Sequence, residues 1–283
     1  MAAGCAQTVC ASSFVARLAP DGRSLRWATL FDGGYGTWIQ DLAVDAAGDV
    51  AMVGSTTRAG FPTTLGALGA AGRTTPGGQA DGFAAKLDTG GGRLEWSGRF
   101  GGDSDETPNR VALTPAGDLV VGGRTASAAF PTTPGAAQRT CDGPGRTAAG
   151  YCNADGFVMR IPAAGTEPAY SSFLGGTGDD GIQAVALDPD GRPLVAGATG
   201  SEDFPAATDL TAGARGRTFV ARLPAGGGPP DWASLPAFDD GQTVSVAPAP
   251  SGDVYLAAAA TTRSPSRPPT PSSASPAAAA TAG

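Results

Sequence analysis

The stretch QAVALDPDGRPLVAG at positions 183–197 holds two short apolar runs on either side of a Pro-Asp-Gly turn. Gly191 in this turn supplies the left-handed backbone conformation that a short hairpin demands. Neither run has a helical period. The stretch therefore predicts a β-hairpin. Equivalent turns, each followed by another apolar run, are centred on Gly48, Gly117 and Gly252.

The hairpin belongs to a larger unit that recurs along the chain. A Phe opens the unit, an indole or phenol follows 13 residues later, and a Phe-Pro follows 47 residues after the opening Phe. The opening residues are Phe14, Phe83, Phe157 and Phe219, and the aromatic residues at the second position are Trp27, Trp96, Tyr170 and Trp232. The Phe-Pro residues of the first three units are Phe61, Phe130 and Phe204. Because the segments between units vary from 15 to 27 residues, the pattern predicts a repeat protein with constant units and variable connectors.

Each unit contains four strand-like runs separated by turn residues, which is typical of a propeller blade. We therefore expect an all-β fold, a β-propeller built from four four-stranded repeat units. The units are 14–82, 83–156, 157–218 and 219–263. Residues 1–13 are interpreted as part of a connector loop. The Pro/Ser/Ala-rich segment 264–283 is interpreted as a disordered tail, because it cannot bury enough apolar surface to fold.

The order of the runs indicates how the units could close into a ring. The chain opens with the first two runs of a unit, Phe14–Leu18 and Leu25–Phe31, and its last two runs lie within Gln242–Ala259. If the third and fourth runs are the inner strands of a blade, the first two runs could supply its outer strands. This pairing predicts a closed four-bladed ring without an unpaired hydrophobic edge. The alternative is part of a larger propeller.

The composition excludes several classes of function. The formal charge is −7 without a basic cluster, which argues against binding to nucleic acid or to an anionic membrane surface. No apolar segment reaches the ~18–20 residues of a membrane helix. Histidine is absent, so Ser-His-Asp, Cys-His and His-ligated zinc chemistry are excluded. Carboxylate-only catalysis and the binding of hard cations by oxygen ligands remain open.

The four cysteines lie in connectors as two pairs, Cys5 with Cys10 and Cys141 with Cys152. Each pair precedes an opening Phe at nearly the same distance, which suggests that each pair joins the same connector in two repeats. Paired loop cysteines are typical of disulfides in an oxidising compartment. Free thiols are the alternative, and the spacings are not those of a zinc site. We expect an extracellular or cell-envelope protein from the cysteines alone, since the chain carries no recognisable signal peptide.

Several motifs together resemble one known family. They are DGFVMRI at 155–161, YSSFLGGTGDD at 170–180, AVALDPDG at 184–191 and DFP at 203–205, with FPTT at 61–64 and 130–133. In this order they resemble the SBBP, or seven-bladed β-propeller repeat, family over about residues 10–262. The resemblance implies a propeller in a bacterial secreted or surface protein, often as a module of a larger chain. It implies no catalytic residues. This chain departs from the family in having four units, the last of them eroded.

Acidic loops follow the Gly-Gly pairs of the second and third units. Because clustered loop carboxylates can hold calcium, we name four calcium candidates: Asp103, Asp105, Asp179 and Asp180. The alternative is that Asp and Gly are simply good turn residues. The first unit carries YGT at 35–37 in this place, without an acid, so the acids are not a repeated cage. No other metal and no cofactor is predicted.

The regularly spaced aromatic residues could form a sugar-binding set, but their constant offset within a strand favours packing between blades. The opening Phe residues are predicted to be structural for the same reason. We expect a non-enzymatic scaffold that binds a protein or a glycan through its inter-repeat loops. The connectors Pro62–Gly82 and Pro131–Gly156 are the best candidates for the partner surface.

Two other functions compete with this expectation. One is a structural spacer without a ligand, favoured by the low charge and the Pro/Ser-rich tail. The other is a carboxylate-dependent polysaccharide lyase or hydrolase, which would need paired acids about 5–10 Å apart. Sequence spacing assigns no catalytic residue and leaves the partner and the oligomeric state open.

Overall fold

The computed structural model describes residues 13–31, 36–58, 60–64, 68, 80–141, 152–205, 208–209, 218–236 and 245–258. Within these ranges the chain is all-β and has no helix. The strands are β1 (Ser13–Leu18), β2 (Leu25–Phe31), β3 (Thr37–Val44), β4 (Val50–Thr56), β5 (Asp81–Leu87), β6 (Leu94–Phe100), β7 (Glu106–Leu113), β8 (Leu119–Thr125), β9 (Asp155–Ile161), β10 (Tyr170–Leu174), β11 (Asp180–Leu187), β12 (Pro193–Thr199), β13 (Thr208–Asp209), β14 (Thr218–Arg222), β15 (Trp232–Leu235), β16 (Ser245–Pro248) and β17 (Val254–Ala257). The predicted tail at 264–283 and residues 1–12 of the predicted first connector lie outside the described residues.

These strands form three large sheets and two separate hairpins. We call the sheets A (β3-β4-β5-β6), B (β7-β8-β9-β10) and C (β11-β12-β14-β15), and the hairpins the first hairpin (β1-β2) and the last hairpin (β16-β17). Every pairing is antiparallel except that of the short strand β13, which lies parallel to β15 at the edge of sheet C. Each sheet joins the third and fourth runs of one sequence unit to the first two runs of the next.

A glycine is required at one position of the fourth run in every sheet. The third run of each sheet carries a one-residue β-bulge, which in sheet B lies between Pro108 and Arg110. The residue that faces the bulge is Gly54, Gly123 or Gly197. A Cβ at these glycines would lie 1.9–2.3 Å from a backbone oxygen of the bulged strand, so no side chain fits.

Phenylalanines form the core between neighbouring sheets. Phe100 on sheet A contacts Phe130, which follows β8 at the start of the connector, and Phe157 on β9, with ring centroids 6.5 and 5.8 Å away. Phe130 and Phe157 contact each other at 4.8 Å. The Phe-Pro residue thus holds the start of each connector against the core, and the opening Phe fills the space beside it. The equivalent rings elsewhere are Phe31, Phe61 and Phe83 beside the first hairpin, and Phe204 with Phe219 in sheet C.

The second aromatic residue of the unit covers a turn glycine of the next sheet. Trp96 on β6 lies over Gly165 in the β9–β10 turn, where a Cβ would be 2.1 Å from the indole. The indole Nε1 donates to the backbone oxygen of Ala163 at 2.9 Å. The contact therefore joins two sheets through one aromatic side chain. The same contact joins Trp27 to Gly91 and Tyr170 to Gly227.

Phe14 does not occupy the core position that we expected. Its side chain is 68% exposed, whereas the equivalent Phe83, Phe157 and Phe219 are each 0% exposed. The physical reason is that the first hairpin is half a sheet. No inner pair of strands covers this face of β1 among the described residues.

The strand pairing that would close a four-bladed ring is not formed in the described residues. There β1 pairs only with β2, and β17 pairs only with β16. The first hairpin lies against β3 of sheet A, and the last hairpin lies against β11 and β12 of sheet C. The two hairpins therefore flank opposite ends of the row of sheets.

Candidate functional site

Three of the predicted calcium candidates accept hydrogen bonds from backbone N–H groups, each at a separate place. Asp103 Oδ1 accepts from the backbone N–H of Ala129 at 3.1 Å, and Asp105 Oδ1 accepts from that of Ala80 at 2.7 Å. Asp179 Oδ1 accepts from the backbone N–H of Ala154 at 3.2 Å. In the part of the chain that the structure describes, no three acidic or cysteine side chains come together to hold a metal ion.

A pair of buried carboxyl groups lies where sheet A meets sheet B. Asp81 begins β5, Glu106 begins β7, and both side chains are fully buried. The backbone N–H of Glu106 donates to the oxygen of Ala80 at 2.7 Å, which fixes the two strand starts beside each other. A Cβ on Gly101 would lie 2.1 Å from Glu106 Oε2 and 3.0 Å from Asp81 Oδ1. The first glycine of the Gly-Gly motif is therefore the residue that fits over the pair.

This pair titrates far from the ordinary range of carboxyl groups. Burial raises the pKa of Asp81 to about 7 and that of Glu106 to about 8. The positive charge of the Arg99 guanidinium, 3.7 Å from Asp81 Oδ2, acts in the opposite direction and lowers the pKa of Asp81. The hydroxyls of Ser127 and Thr125 donate to Glu106 Oε1 at 2.5 and 2.8 Å. Because burial outweighs these groups, the pair holds a proton near neutral pH.

The pair recurs between sheets B and C as Asp155 and Asp180. Asp180 Oδ2 accepts from the backbone N–H of Gly176 and from the Ser201 hydroxyl, each at 2.7 Å. Burial raises the pKa of Asp180. Here a connector residue also takes part, because Gln138 Nε2 donates to Asp155 Oδ2 at 3.4 Å. The backbone N–H of Asp180 on sheet C also donates to the oxygen of Ala154, the residue before β9, so this site joins sheet B to sheet C.

Sequence reasoning named Asp180 as a calcium candidate but missed the pairing. The available signal was the DGF motif at 81–83 and 155–157, together with an acid four residues after the second Gly of the Gly-Gly pairs at 101–102 and 175–176. The two positions are 25 residues apart, so no local pattern shows that they meet.

The connector that begins at Pro131 is held closely on sheet B. The backbone N–H of Gln138 donates to Ser172 Oγ at 3.0 Å, and that of Phe173 donates to the oxygen of Gln138 at 3.1 Å. The backbone N–H of Gly175 donates to Gln138 Oε1 at 3.1 Å. One glutamine therefore joins the connector to the strand end and to the Gly-Gly loop.

A disulfide closes this connector. Cys141 and Cys152 are bonded, with their Cα atoms 6.2 Å apart. The predicted pair Cys5 and Cys10 lies outside the described residues, as does most of the connector Pro62–Gly82. Of the second connector, the structure describes residues 131–141 and 152–156.

Between this connector and the loops of sheet C lies an open groove of about 380 Å³. Arg139 lines one side and is exposed. Asp203 and three prolines line the other side, namely Pro205, Pro229 and Pro230. The backbone N–H and hydroxyl of Thr177 both donate to Asp203 Oδ1 at 2.8 Å and lower the pKa of this carboxyl. The groove thus combines a cation, a fixed anion and rigid apolar rings.

A second concavity, of about 480 Å³, lies where the turns β3–β4, β7–β8 and β11–β12 converge. Its acids already have cationic partners: Asp45 lies 3.0 Å from Lys86 Nζ, and Asp188 lies 2.8 Å from Arg192 Nε. Small side chains and prolines, such as Ala46 and Pro115, make up much of the remaining surface. Fewer free polar groups converge here than in the connector groove.

Known proteins offer a structural similarity to this chain and no family assignment. No family model matches the chain, and no curated protein matches it. The resemblance to the SBBP repeat family therefore stays a prediction. One similar solved structure is a protein of unknown function from Dyadobacter fermentans, at 13% identity and a TM-score of 0.46. The match covers 84% of this chain and 62% of that one.

The described residues include no helix with the length and apolarity of a membrane span.

Proposed function

We propose that sheets A, B and C are successive blades of a β-propeller of the SBBP repeat type. We further propose that the protein is a non-enzymatic scaffold of a secreted or cell-surface bacterial protein. It binds a protein or a glycan through its inter-repeat loops. The observation that carries this proposal is the connector groove beside Arg139 and Asp203, which is built by an inter-repeat loop and open to solvent.

The hydrogen bonds that hold residues 131–141 of the connector on sheet B support a binding role. A loop that is already ordered loses little conformational entropy when it binds, which is the advantage of preorganisation. The Gln138 hydrogen bonds and the Cys141–Cys152 disulfide hold this loop before any partner arrives. A spacer would have no use for such a constraint beyond stability.

The chemistry of the groove favours an extended polar partner. The guanidinium of Arg139 can donate two parallel hydrogen bonds to a carboxylate, a group found in acidic sugars and in Asp or Glu side chains. The exposed rings of Pro205 and Pro229 offer apolar surface on the opposite side. A short segment of polysaccharide or an extended peptide suits this combination.

The location rests on the disulfide. A cysteine pair at bonding distance in a loop is typical of proteins in oxidising compartments. We therefore place the protein outside the cytoplasm, at the cell surface or in the surrounding medium.

The experiment is a binding screen against surface polysaccharides and envelope proteins, using the oxidised chain immobilised on a sensor. Arg139→Glu should reduce binding of the retained partner by at least about tenfold, because it reverses the charge in the groove. The control is Arg93→Glu, which changes the same residue type at a 68% exposed site far from the groove. Equal binding by both variants would refute the groove as the site.

A carboxylate-dependent lyase or hydrolase is separated by a glycan turnover assay. Turnover that is lost in Asp105→Asn or Asp179→Asn would favour the enzyme over the scaffold. A full screen without any binder or turnover would favour the spacer.

A further inference from the structure

One strand pairing holds each complete sheet together and is missing at both ends of the row. In sheets A, B and C the fourth run of one unit pairs with the first run of the next, as β4–β5, β8–β9 and β12–β14. Among the described residues β17 is a fourth run without such a partner, and β1 is a first run without one. The register of the complete sheets, in which Val50 faces Leu87, would place Val254 opposite Leu18.

Exposed apolar side chains lie along both unpaired strands. Phe14 and Leu18 on β1 are 68% and 60% exposed, and Tyr255 on β17 is 68% exposed. The equivalents of the β1 residues in sheet A, Phe83 and Leu87, are buried. The missing partner of β1 therefore has the size and chemistry of a third-and-fourth-run hairpin.

The charges on the two hairpins are complementary. In sheet B, Arg160 Nη2 lies 2.8 Å from Asp118, the residue after the turn glycine, and Nη1 donates to a backbone oxygen of sheet C. Arg17 is the equivalent residue of the first hairpin. Its Nη1 makes the second contact, to the backbone oxygen of Thr89 at 3.3 Å, and also donates to Thr89 Oγ1 at 3.2 Å. Asp253 follows the turn glycine of the last hairpin and so occupies the place of Asp118. Each hairpin carries one half of the ion pair.

The contact between an aromatic residue and a turn glycine also has its two members at opposite ends of the chain. Trp96 covers Gly165, as described above, and the equivalent aromatic on sheet C is Trp232. The equivalent turn glycine is Gly22 of the first hairpin, which has a φ of +68° and nothing within 4 Å of its Cβ position. Trp232 is only partly buried. The surface of sheet C therefore carries an aromatic residue, and the first hairpin carries the open glycine that this residue would cover.

We propose that a second copy of this chain supplies the missing partner. The first hairpin of each copy pairs with the last hairpin of the other, so β17 adds β1 of the second copy, Asp253 meets Arg17 and Trp232 covers Gly22. Two such junctions are related by a two-fold axis and use all four hairpins. The result is a ring of eight blades, which is within the known range of four to eight.

A second copy is favoured over closure within one chain, because in the described residues β1 pairs only with β2 and β17 only with β16. The inference rests on the proposed propeller arrangement but not on the proposed binding role. The mass of the protein tests this assembly without any ligand.

One residue departs from the pattern. In the complete sheets the residue that pairs with the opening Phe is a glycine: Gly54, Gly123 or Gly197. The same position in the last hairpin is Ala258. The methyl group would approach Phe14 of the second copy. Ala258→Gly should therefore strengthen association, which gives a variant with the opposite sign to the disruptive ones.

The test is light scattering on the full oxidised chain and on charge-reversed variants. The wild type should have twice the chain mass of 27.7 kDa. Arg17→Glu alone and Asp253→Lys alone should each weaken association by at least about tenfold, because each places like charges across both junctions. Circular dichroism confirms that each variant is folded.

Mixing distinguishes a second copy from closure within the chain. In an equimolar mixture of Arg17→Glu and Asp253→Lys, every junction between the two variants again has opposite charges, so the dimer mass should return. A monomeric wild type, a dimer that neither variant weakens, or a mixture that stays monomeric would each overturn the proposal. Large open assemblies would overturn the two-fold closure.

Discussion

Phe157 and Phe14 begin the same sequence motif, yet one is fully buried and the other is 68% exposed. Phe157 lies in the third strand of sheet B, with two inner strands beside it and sheet A against its ring. Phe14 lies in a hairpin that has no inner strands beside it among the described residues. The burial of a repeat residue is thus set by the neighbouring units and not by its own segment, as expected for a protein stabilised by contacts between adjacent repeats.

The largest expected effect separates these two environments directly. Phe83→Ala should lower the free energy of unfolding by roughly 3–5 kcal/mol, because it leaves a cavity in the core between the first hairpin and sheet A. Phe14→Ala should change it by less than about 0.5 kcal/mol when association is blocked by Arg17→Glu. Urea denaturation measures both. A similar loss in the two variants would show that the single chain buries Phe14.

A second contrast compares two turn glycines with nearly the same backbone. Gly165 has a φ of +69° and lies under Trp96, whereas Gly22 has a φ of +68° and open space around it. Alanine at either site costs about 1 kcal/mol of left-handed strain. Gly165→Ala should cost roughly 2–4 kcal/mol in total because the methyl group also displaces the indole. Thermal melts in the Arg17→Glu background, where association is blocked, measure the difference. Equal losses for the two variants would contradict the contact between Trp96 and Gly165.

The buried acids give the complete junctions a pH dependence that the first hairpin lacks. The position of Glu106 is occupied by Thr37 in sheet A, on the side that faces the first hairpin. The pKa values of Asp81 and Glu106 are raised to about 7 and 8, so the folded state keeps protons that the unfolded chain loses from about pH 4 upward. Stability should therefore fall as pH rises from 5 to 8, by roughly 1.4 kcal/mol per pH unit for each of the two groups that is still protonated in the folded state.

Glu106→Gln checks this assignment, since it keeps the shape and removes the titrating proton. Thermal melts at pH 5 and 8 should differ less in this variant than in the wild type. An unchanged difference would mean that other groups cause the pH dependence.

The smallest effect concerns the ion pairs at the turns. Asp118→Ala removes the partner of Arg160 and should cost about 0.5–1 kcal/mol, because both side chains are partly exposed. Asp253→Ala should cost less than this in the Arg17→Glu background, because among the described residues Asp253 accepts one side-chain hydrogen bond, from the exposed Ser251 hydroxyl at 2.8 Å. Urea denaturation of the two variants side by side measures this difference, and an equal loss for both would place a cation beside Asp253 within one chain.

Local patterns predicted the strands and turns well. The predicted run Phe157–Ile161 lies within β9, and the run from Pro193 lies within β12. Turn glycines with positive φ and alternating apolar residues act within a few positions, so a single sequence reveals them. The all-β character with four-stranded antiparallel sheets followed from the same signals.

The long-range features could not be predicted in this way. Asp81 and Glu106 meet across two sheets, and Gln138 reaches Asp155 from a connector whose path no local pattern specifies. Ring closure depends on the angle at which whole sheets pack, which is the sum of many side-chain contacts. The sequence therefore predicted, as a hypothesis, that the first two runs pair with the last two, but it did not predict the exposure of Phe14.

The central claim is that β1 and β17 are complementary edges of one shared blade. The register of the complete sheets, where Met52 faces Ala85, places Leu256 opposite Ala16. The double variant Ala16→Cys with Leu256→Cys should oxidise to a covalent dimer of twice 27.7 kDa on a non-reducing gel, whereas either single variant should not. A cross-link within one chain, or none at all, would contradict the account.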